Sequence, residues 1–331
     1  MIRFATIGTS AITQRFLGIG NQCPDFVLEA VYSRDIKKAE IFAQKYNVMK
    51  AYHVLDELAA DEEIDAVYVA SPNSLHFQQT MKLLRSGKHV LCEKSMGSNK
   101  AEVERMLHTA KEQGVILLEA MRSIYDPGIQ AVKDNLYKLG CIRKANLQCC
   151  KYSSRYDDFK RGVVQNIFRP DLSAGALMDI GVYCVQIMLE LFDSPDSITA
   201  IPVILSNGID GAGTLTAKYD QMVADLSYSK ITNSGTPSQI QGENGVMLVS
   251  DVLSPRDITI TYNDGTREEI EVEWCDNNMV YELQYFIRAI KHEVAVTHYQ
   301  QISLKAIELM DLARKQMGVV FPADHQDLEQ K

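Results

Sequence analysis

Three groups of residues in this chain have types and spacings suited to chemistry. The first is Gly8-Thr9-Ser10-Ala11-Ile12-Thr13, between a short apolar run, Phe4–Ile7, and a segment of helical spacing, Ala11–Ile19. A glycine turn from strand into helix aims backbone N–H groups at one point and suits a phosphate. The dinucleotide fingerprint is G-x-G-x-x-G/A, and only its first glycine, Gly8, is present. Ser10 and Thr13 hold the other two positions, so the loop also reads as a plain tight turn. The second group ends the next apolar run: Val27–Tyr32 is followed by Ser33-Arg34, with Lys37 and Lys38 just beyond. A hydroxyl and a guanidinium suit a ribose 2′-phosphate, where an acidic residue would suit a free 2′-hydroxyl. NADP is therefore the preferred cofactor and NAD the alternative, with Asp35 either capping the next helix or opposing the phosphate. The third group is Lys94, just after the run His89–Cys92, together with Asp179 and Tyr183. Residues four apart share a helix face. A strand's C-terminal end is the edge where open α/β sheets bind ligands. A phenol of pKa about 10 is a weak base near neutrality, but a neighbouring ammonium stabilises its phenolate. Singly, each has a plainer reading: Lys94 as a solvated turn lysine, Asp179 as a helix cap, Tyr183 as a core ring.

The elements that must position these groups alternate through the first third of the chain. Apolar strands at Phe4–Ile7, Val27–Tyr32, Ala66–Ala70, His89–Cys92 and Val115–Ala120 are separated by helical patterns at Ala11–Ile19, Ile36–Tyr46, Leu75–Arg85 and Ala101–Gln113. Continuous apolar strands between amphipathic helices predict a parallel sheet covered on both faces. After Arg122 the texture changes. A helix over Ile129–Leu139, a strand over Lys144–Tyr152 and an apolar helix over Gly175–Phe192 precede a run of alternating strands from Ser197 to Glu273. Turn signals at Tyr219-Asp220, Glu243-Asn244-Gly245 and Asn263-Asp264-Gly265 mark that run as an antiparallel sheet with one packed face. Helices near Val280–Lys291 and Ser303–Met317 follow, then a polar tail, Asp324–Lys331. The fold class is α/β: an N-terminal doubly wound Rossmann domain over 1–122, then an α+β domain over 123–331 with a large, mostly antiparallel open sheet for substrate and oligomerisation.

With 331 residues, 46% hydrophobic and 23% charged, the chain matches an average globular protein of two domains. Its formal net charge of −9, with no block of Lys or Arg, gives no footprint for nucleic acid. No uninterrupted apolar stretch approaches the roughly 20 residues of a membrane helix, and Met1–Gly8 reads as a buried strand rather than a signal peptide. Seven scattered cysteines without a Cys-x-x-Cys pair fit a reduced, cytoplasmic protein.

Three further motifs carry a family resemblance: Ala70-Ser71-Pro72-Asn73-Ser74-Leu75-His76, Gly87-Lys88-His89-Val90-Leu91-Cys92-Glu93-Lys94, and Gly175-Ala176-Leu177-Met178-Asp179-Ile180-Gly181-Val182-Tyr183. In this order the chain resembles the glucose–fructose oxidoreductase / inositol dehydrogenase / MocA family over nearly its whole length. The Asp-Ile-Gly-Val-Tyr ending is most similar to the branch that contains dimeric dihydrodiol dehydrogenase. The resemblance implies a nicotinamide-dependent oxidoreductase acting on a sugar, polyol or vicinal diol. It places Ser71, Pro72, Asn73 and His76 along the cofactor's ribose and nicotinamide, and Glu93-Lys94 in a Glu-Lys-Pro motif whose lysine points at the reacting oxygen. It makes Asp179 a substrate-binding carboxylate and Tyr183 a proton-transfer group. Ser95 stands where the family usually has proline.

Elementary chemistry agrees with these roles, because the cofactor handles only hydride and the hydroxyl proton needs a separate partner. Tyr183 is assigned as general acid/base and Lys94 as its electrostatic partner, with Asp179 as the third member of the catalytic set. The expected cofactor contacts are Gly8, Thr9, Ser10, Ala11, Ile12, Ser33, Arg34, Lys38, Ser71, Pro72, Asn73, His76, Glu93 and Lys94. Arg122 and Arg169 join them if they hold a phosphate or substrate oxygen rather than a structural ion pair. His76 reads equally as packing or capping. The remaining histidines lack metal-ligand spacing, and no metal is expected. Tight NAD retention in a lyase or hydrolase, or a non-catalytic nicotinamide sensor, are the competing functions. The expected partners are a small-molecule substrate and a second copy of the chain, docked through the C-terminal sheet as a dimer, with neither nucleic acid nor membrane.

Overall fold

The computed structural model describes residues 1–326, in two compact units. The first unit contains Met1–Ala120 and Met279–Leu304. Its strands are β1 (Ile2–Ile7), β2 (Phe26–Tyr32), β3 (Lys50–Tyr52), β4 (Ala66–Val69), β5 (His89–Glu93) and β6 (Leu117–Ala120). All pair in parallel, in the order β3-β2-β1-β4-β5-β6. This is the doubly wound Rossmann order, whose direction reverses between β1 and β4. β4 is buried at all four positions, as a strand covered on both faces must be. The connecting helices are α1 (Ala11–Leu17), α2 (Ile36–Lys45), α3 (Leu55–Ala60), α4 (Asn73–Arg85) and α5 (Lys100–Gln113). The short β3 and α3 have no expected counterpart. Neither carries a clear apolar period, and β3 is only half-buried along its length.

The second unit contains Met121–Asn278 and Lys305–Gln326. After α6 (Pro127–Asn135), it builds one sheet from β7 (Ile142–Cys150), β8 (Ser197–Ile204), β9 (Asp210–Lys218), β10 (Val223–Ser229), β11 (Ser238–Gly242), β12 (Gly245–Val249), β13 (Ile258–Tyr262) and β14 (Arg267–Ile270). The order is β14-β13-β12-β11-β7-β10-β9-β8. The three expected turns close the β9–β10, β11–β12 and β13–β14 hairpins. The one parallel pair, β7 with β10, joins two strands far apart in sequence. Ala224, Leu226 and Tyr228 of β10 are buried and alternate with half-buried Asp225 and Ser227, giving one packed and one open face. On the packed side lies α8 (Val182–Phe192), which follows the short α7 (Arg155–Lys160). The stretch Pro170–Phe192 is long and apolar enough, by length and composition, to cross a membrane, but 83% of its apolar window is buried inside this unit.

Two helices close the chain, α9 (Met279–Ile290) and α10 (Thr297–Met317). The units divide the chain differently from the expected 1–122 and 123–331, because Met279–Leu304 groups with the first. Its side chains explain why. The Phe286 ring lies 6.1 Å from Phe4, Lys291 pairs with Asp25 at 2.5 Å, and Gln300 donates to the Leu117 carbonyl at 3.0 Å. Asp324, expected in a polar tail, instead pairs with buried Arg314 at 2.7 Å; residues 327–331 of that tail lie outside the described residues.

Candidate active site

The first unit gathers its loops where the strand order reverses. Gly8 ends β1 with φ +105°, and a Cβ there would lie 2.5 Å from the Ala70 carbonyl oxygen. Both facts demand glycine. Its N–H donates to the Tyr32 carbonyl at 3.1 Å, and Ala70 donates to the Ile7 carbonyl at 2.8 Å. The ends of β1, β2 and β4 are thus tied together. Thr9 is half-buried, and Ser10 and Ala11 are exposed. Ser10 caps α1 without a side-chain hydrogen bond, so no side chain competes for the N–H groups of Ile12 and Thr13 in this first turn. Thr13 itself is fully buried.

At the end of β2, Ser33 is half-buried while Arg34 and Lys38 are exposed. Asp35 caps α2, accepting from Lys37 N at 3.0 Å and Lys38 N at 3.4 Å. The capping alternative is therefore the one the structure adopts. The third loop, after β4, has the Ser71 hydroxyl donating to Gln79 Oε1 at 2.7 Å, Pro72 at the cap of α4 and Asn73 as its first residue.

For His76 the structure shows the packing alternative. It has no solvent exposure, and its ring nitrogens lie 2.8 Å from the Ser71 carbonyl and 2.9 Å from the Ser95 carbonyl. Burial pushes its pKa down. It acts as a clamp between two loops. Glu93 is likewise turned inward, accepting from Tyr68 Oη at 2.5 Å and Lys94 N at 3.2 Å. Met96 N donates to buried Glu119 at 2.8 Å. The Lys94–Ser95 peptide is cis. Within the run Leu91–Asn99, Lys94 alone is not buried. Where the family's proline would constrain the backbone, the His76 ring against the Ser95 carbonyl and the hydrogen bond that Met96 N donates to Glu119 hold it here.

The second unit carries the expected residues Asp179 and Tyr183. The helix expected over Gly175–Phe192 is interrupted by a π-helical turn, Leu177–Gly181, which runs into α8. Such turns re-aim side chains and are frequent at functional sites. Its start is fixed by Asp210, 1% exposed, which accepts from Leu177 N at 2.6 Å. Gly175 has φ +115° and would place a Cβ 2.2 Å from Asp210 Oδ1. At its end, a Cβ on Gly181 would be 3.0 Å from the Tyr228 ring.

Asp179 lies in the turn and pairs with Lys230. Every residue of α8 is buried except Tyr183 and Phe192, so the apolar helix leaves its one phenol accessible. The Arg122 guanidinium stands 5.7 Å from the Tyr183 ring centroid and donates to Asn278 Oδ1 at 2.6 Å. Arg122 therefore belongs beside Tyr183 in the second unit and not to the Rossmann loops. Arg169 is exposed and pairs with Asp171, its Nε 3.0 Å from Oδ1, the ion-pair alternative of its two expected roles. Lys230 and Asn278 were not expected. A signal for Lys230 existed in the alternation Ala224, Leu226, Tyr228, Lys230, which carries the packed face of β10 one step past its end. Each unit thus offers polar groups at a fixed backbone: an amine and an uncapped helix start after Gly8 in one, a phenol and a paired carboxylate in the other.

Family comparisons place these motifs. Residues 2–121 match the family described as an oxidoreductase family with an NAD-binding Rossmann fold. Residues 138–248 match the GFO/IDH/MocA C-terminal domain. The chain is 44% identical over 326 residues to the scyllo-inositol 2-dehydrogenase (NADP(+)) IolU of Bacillus subtilis, covering 98% of this chain and 99% of that protein. It is 29% identical over 339 residues to mouse trans-1,2-dihydrobenzene-1,2-diol dehydrogenase, again covering 98% and 99%. The fold matches KijD10, a 3-ketoreductase from Actinomadura kijaniata solved with NADP and TDP-benzene, at TM-score 0.84 and 22% identity over 95% of this chain and 97% of that one. The chain belongs to the GFO/IDH/MocA family of oxidoreductases.

Proposed function

We propose that the protein is an NADP(H)-dependent oxidoreductase that moves a hydride between the nicotinamide and a hydroxyl-bearing or carbonyl carbon of a polyol, sugar or vicinal diol. The observation that carries this reading is the Gly8 turn at the reversal point of the β3-β2-β1-β4-β5-β6 sheet. A Cβ would fill that turn, and no side chain caps the helix N-terminus beyond it, which fits a pyrophosphate. Ser33, Arg34 and Lys38 hold the 2′-phosphate; Asp35 is committed to its own helix, which favours NADP over NAD. Ser71, Pro72 and Asn73 line the cofactor's further course. A relative named as an NADP(+) inositol dehydrogenase supports the cofactor, and it and a relative named as a dihydrodiol dehydrogenase support the substrate class.

When bound, the nicotinamide accepts or donates the hydride. The protein's own residues handle the proton. In alcohol oxidation, Tyr183 takes the hydroxyl proton as general base while the Lys94 ammonium stabilises the charge that develops on oxygen; in carbonyl reduction Tyr183 returns it. Asp179 accepts a hydrogen bond from a second substrate hydroxyl, and a substrate with adjacent hydroxyls satisfies both groups. Arg122 holds Tyr183 from one side. The test is a panel of inositols, sugars and diols with each cofactor, read at the reduced-nicotinamide absorbance. Turnover of a polyol or diol with NADP(+) is expected, and turnover only with NAD(+) or with none of the panel refutes it.

A homodimer through the open face of the second unit's sheet fits the exposed apolar side chains Ile201 and Val203 on edge strand β8. A reducing, cytoplasmic setting fits seven free thiols.

A further inference from the structure

We infer that Lys230 is a positioning residue for the reaction, which fixes the Asp179 carboxylate, ionised and oriented, for the substrate's second hydroxyl. The inference rests on the reading of Asp179 just given. Lys230 is not an ordinary surface lysine. Its backbone N–H donates to the Gly211 carbonyl at 2.9 Å, and its carbonyl accepts from Ser153 N at 2.9 Å, so its main chain is held between the strands on either side of β10. The two-residue strand period puts its side chain on the same face as buried Leu226 and Tyr228. That face lies under the π-helical turn, where the Tyr228 ring packs on Gly181. The amine therefore meets Asp179 from beneath. Its side chain is 12% exposed and that of Asp179 27%, while exposed pairs in this chain, such as Arg143–Glu243 at 49% and 54%, are held only at the rim.

A carboxylate facing a substrate hydroxyl has two needs. It must carry its charge, and it must not rotate. A fixed ammonium on one oxygen meets both, because an opposite charge at contact favours ionisation and one anchored oxygen sets the plane of the other. No covalent step is assigned to Lys230.

The test is kinetic. Lys230→Met, Lys230→Arg, Asp179→Asn and the double variant are compared with Lys94→Met, NADPH affinity being measured in each by fluorescence. The Lys230→Met variant should bind NADPH normally and raise KM for the polyol at least about tenfold. Its kcat/KM should fall by roughly a hundredfold, the scale of a misplaced group. Lys230→Arg should recover most of that loss, and the double variant should be no slower than Asp179→Asn alone. Normal kinetics in Lys230→Met, or losses that add in the double variant, overturn the inference. If Lys230→Met fails to bind NADPH and is misfolded, Lys230→Gln, which keeps a donor but no charge, is judged by the same criteria. Near-normal turnover in Lys94→Met overturns the parent reading instead, so the two failures are distinguishable.

Discussion

Replacing Asp210 by Asn should invert part of the protein's pH-stability profile. Asp210 holds the start of the turn that carries Asp179, through a 2.6 Å hydrogen bond from Leu177 N. Burial pushes its carboxyl up to about 6 from an ordinary 3.8, with the hydrogen bonds from Leu177 and neighbouring N–H groups pulling the other way. The folded state therefore holds the proton more tightly than the unfolded chain. The sign follows: the stabilisation from this group is complete below about pH 4 and is lost as pH rises through about 6. A shift of about two units at about 1.4 kcal/mol each gives a loss of about 3 kcal/mol. Asn keeps an acceptor for Leu177 N but cannot ionise. Urea unfolding at pH 4, 5, 6 and 7 should show wild type losing about 3 kcal/mol relative to D210N across that range, then no further change. A difference that stays constant with pH, or that grows in favour of wild type, refutes the reasoning.

Gly8→Ala forces a side chain to φ +105° and 2.5 Å from a backbone oxygen; a loss of about 2–4 kcal/mol in unfolding free energy and of NADPH binding is expected, measured by denaturation and fluorescence titration. Arg34→Ala should raise KM for NADP(+) about tenfold or more and leave that for NAD(+) within about twofold, since only the 2′-phosphate contact is removed. His76→Ala empties a fully buried site and removes the one N–H that the neutral ring offers to the Ser71 or Ser95 carbonyl; it should cost about 2–3 kcal/mol and lower kcat through the displaced Ser95 backbone, read by unfolding and steady-state rates.

The parallel sheet was legible because its strands are continuous apolar runs, and the hairpins of the second unit because Asn-Gly and Asp-Gly turns recur between alternating strands. Gly8, Lys94, Asp179 and Tyr183 stood out by type and place. What stayed hidden came from contacts between residues far apart in sequence. His76 reads equally as a cofactor contact or as packing until its two carbonyl neighbours, from loops after β4 and β5, are seen. The grouping of α9 with the first unit depends on Phe286 meeting Phe4, and the π-helical turn on Asp210, over 30 residues beyond it. Arg122 was visible as a strand-end arginine, but only Asn278, 156 positions later, directs it to Tyr183.

The most direct test of the account is the turnover of Lys94→Met and Tyr183→Phe with NADP(+) and whichever polyol or diol the wild type oxidises best, at saturating cofactor. Removing a proton-transfer partner should lower kcat by about 10²–10⁴-fold while NADPH still binds with wild-type affinity. Either variant turning over at a rate near that of wild type would contradict the assignment of Tyr183 as the proton-transfer group and Lys94 as its electrostatic partner.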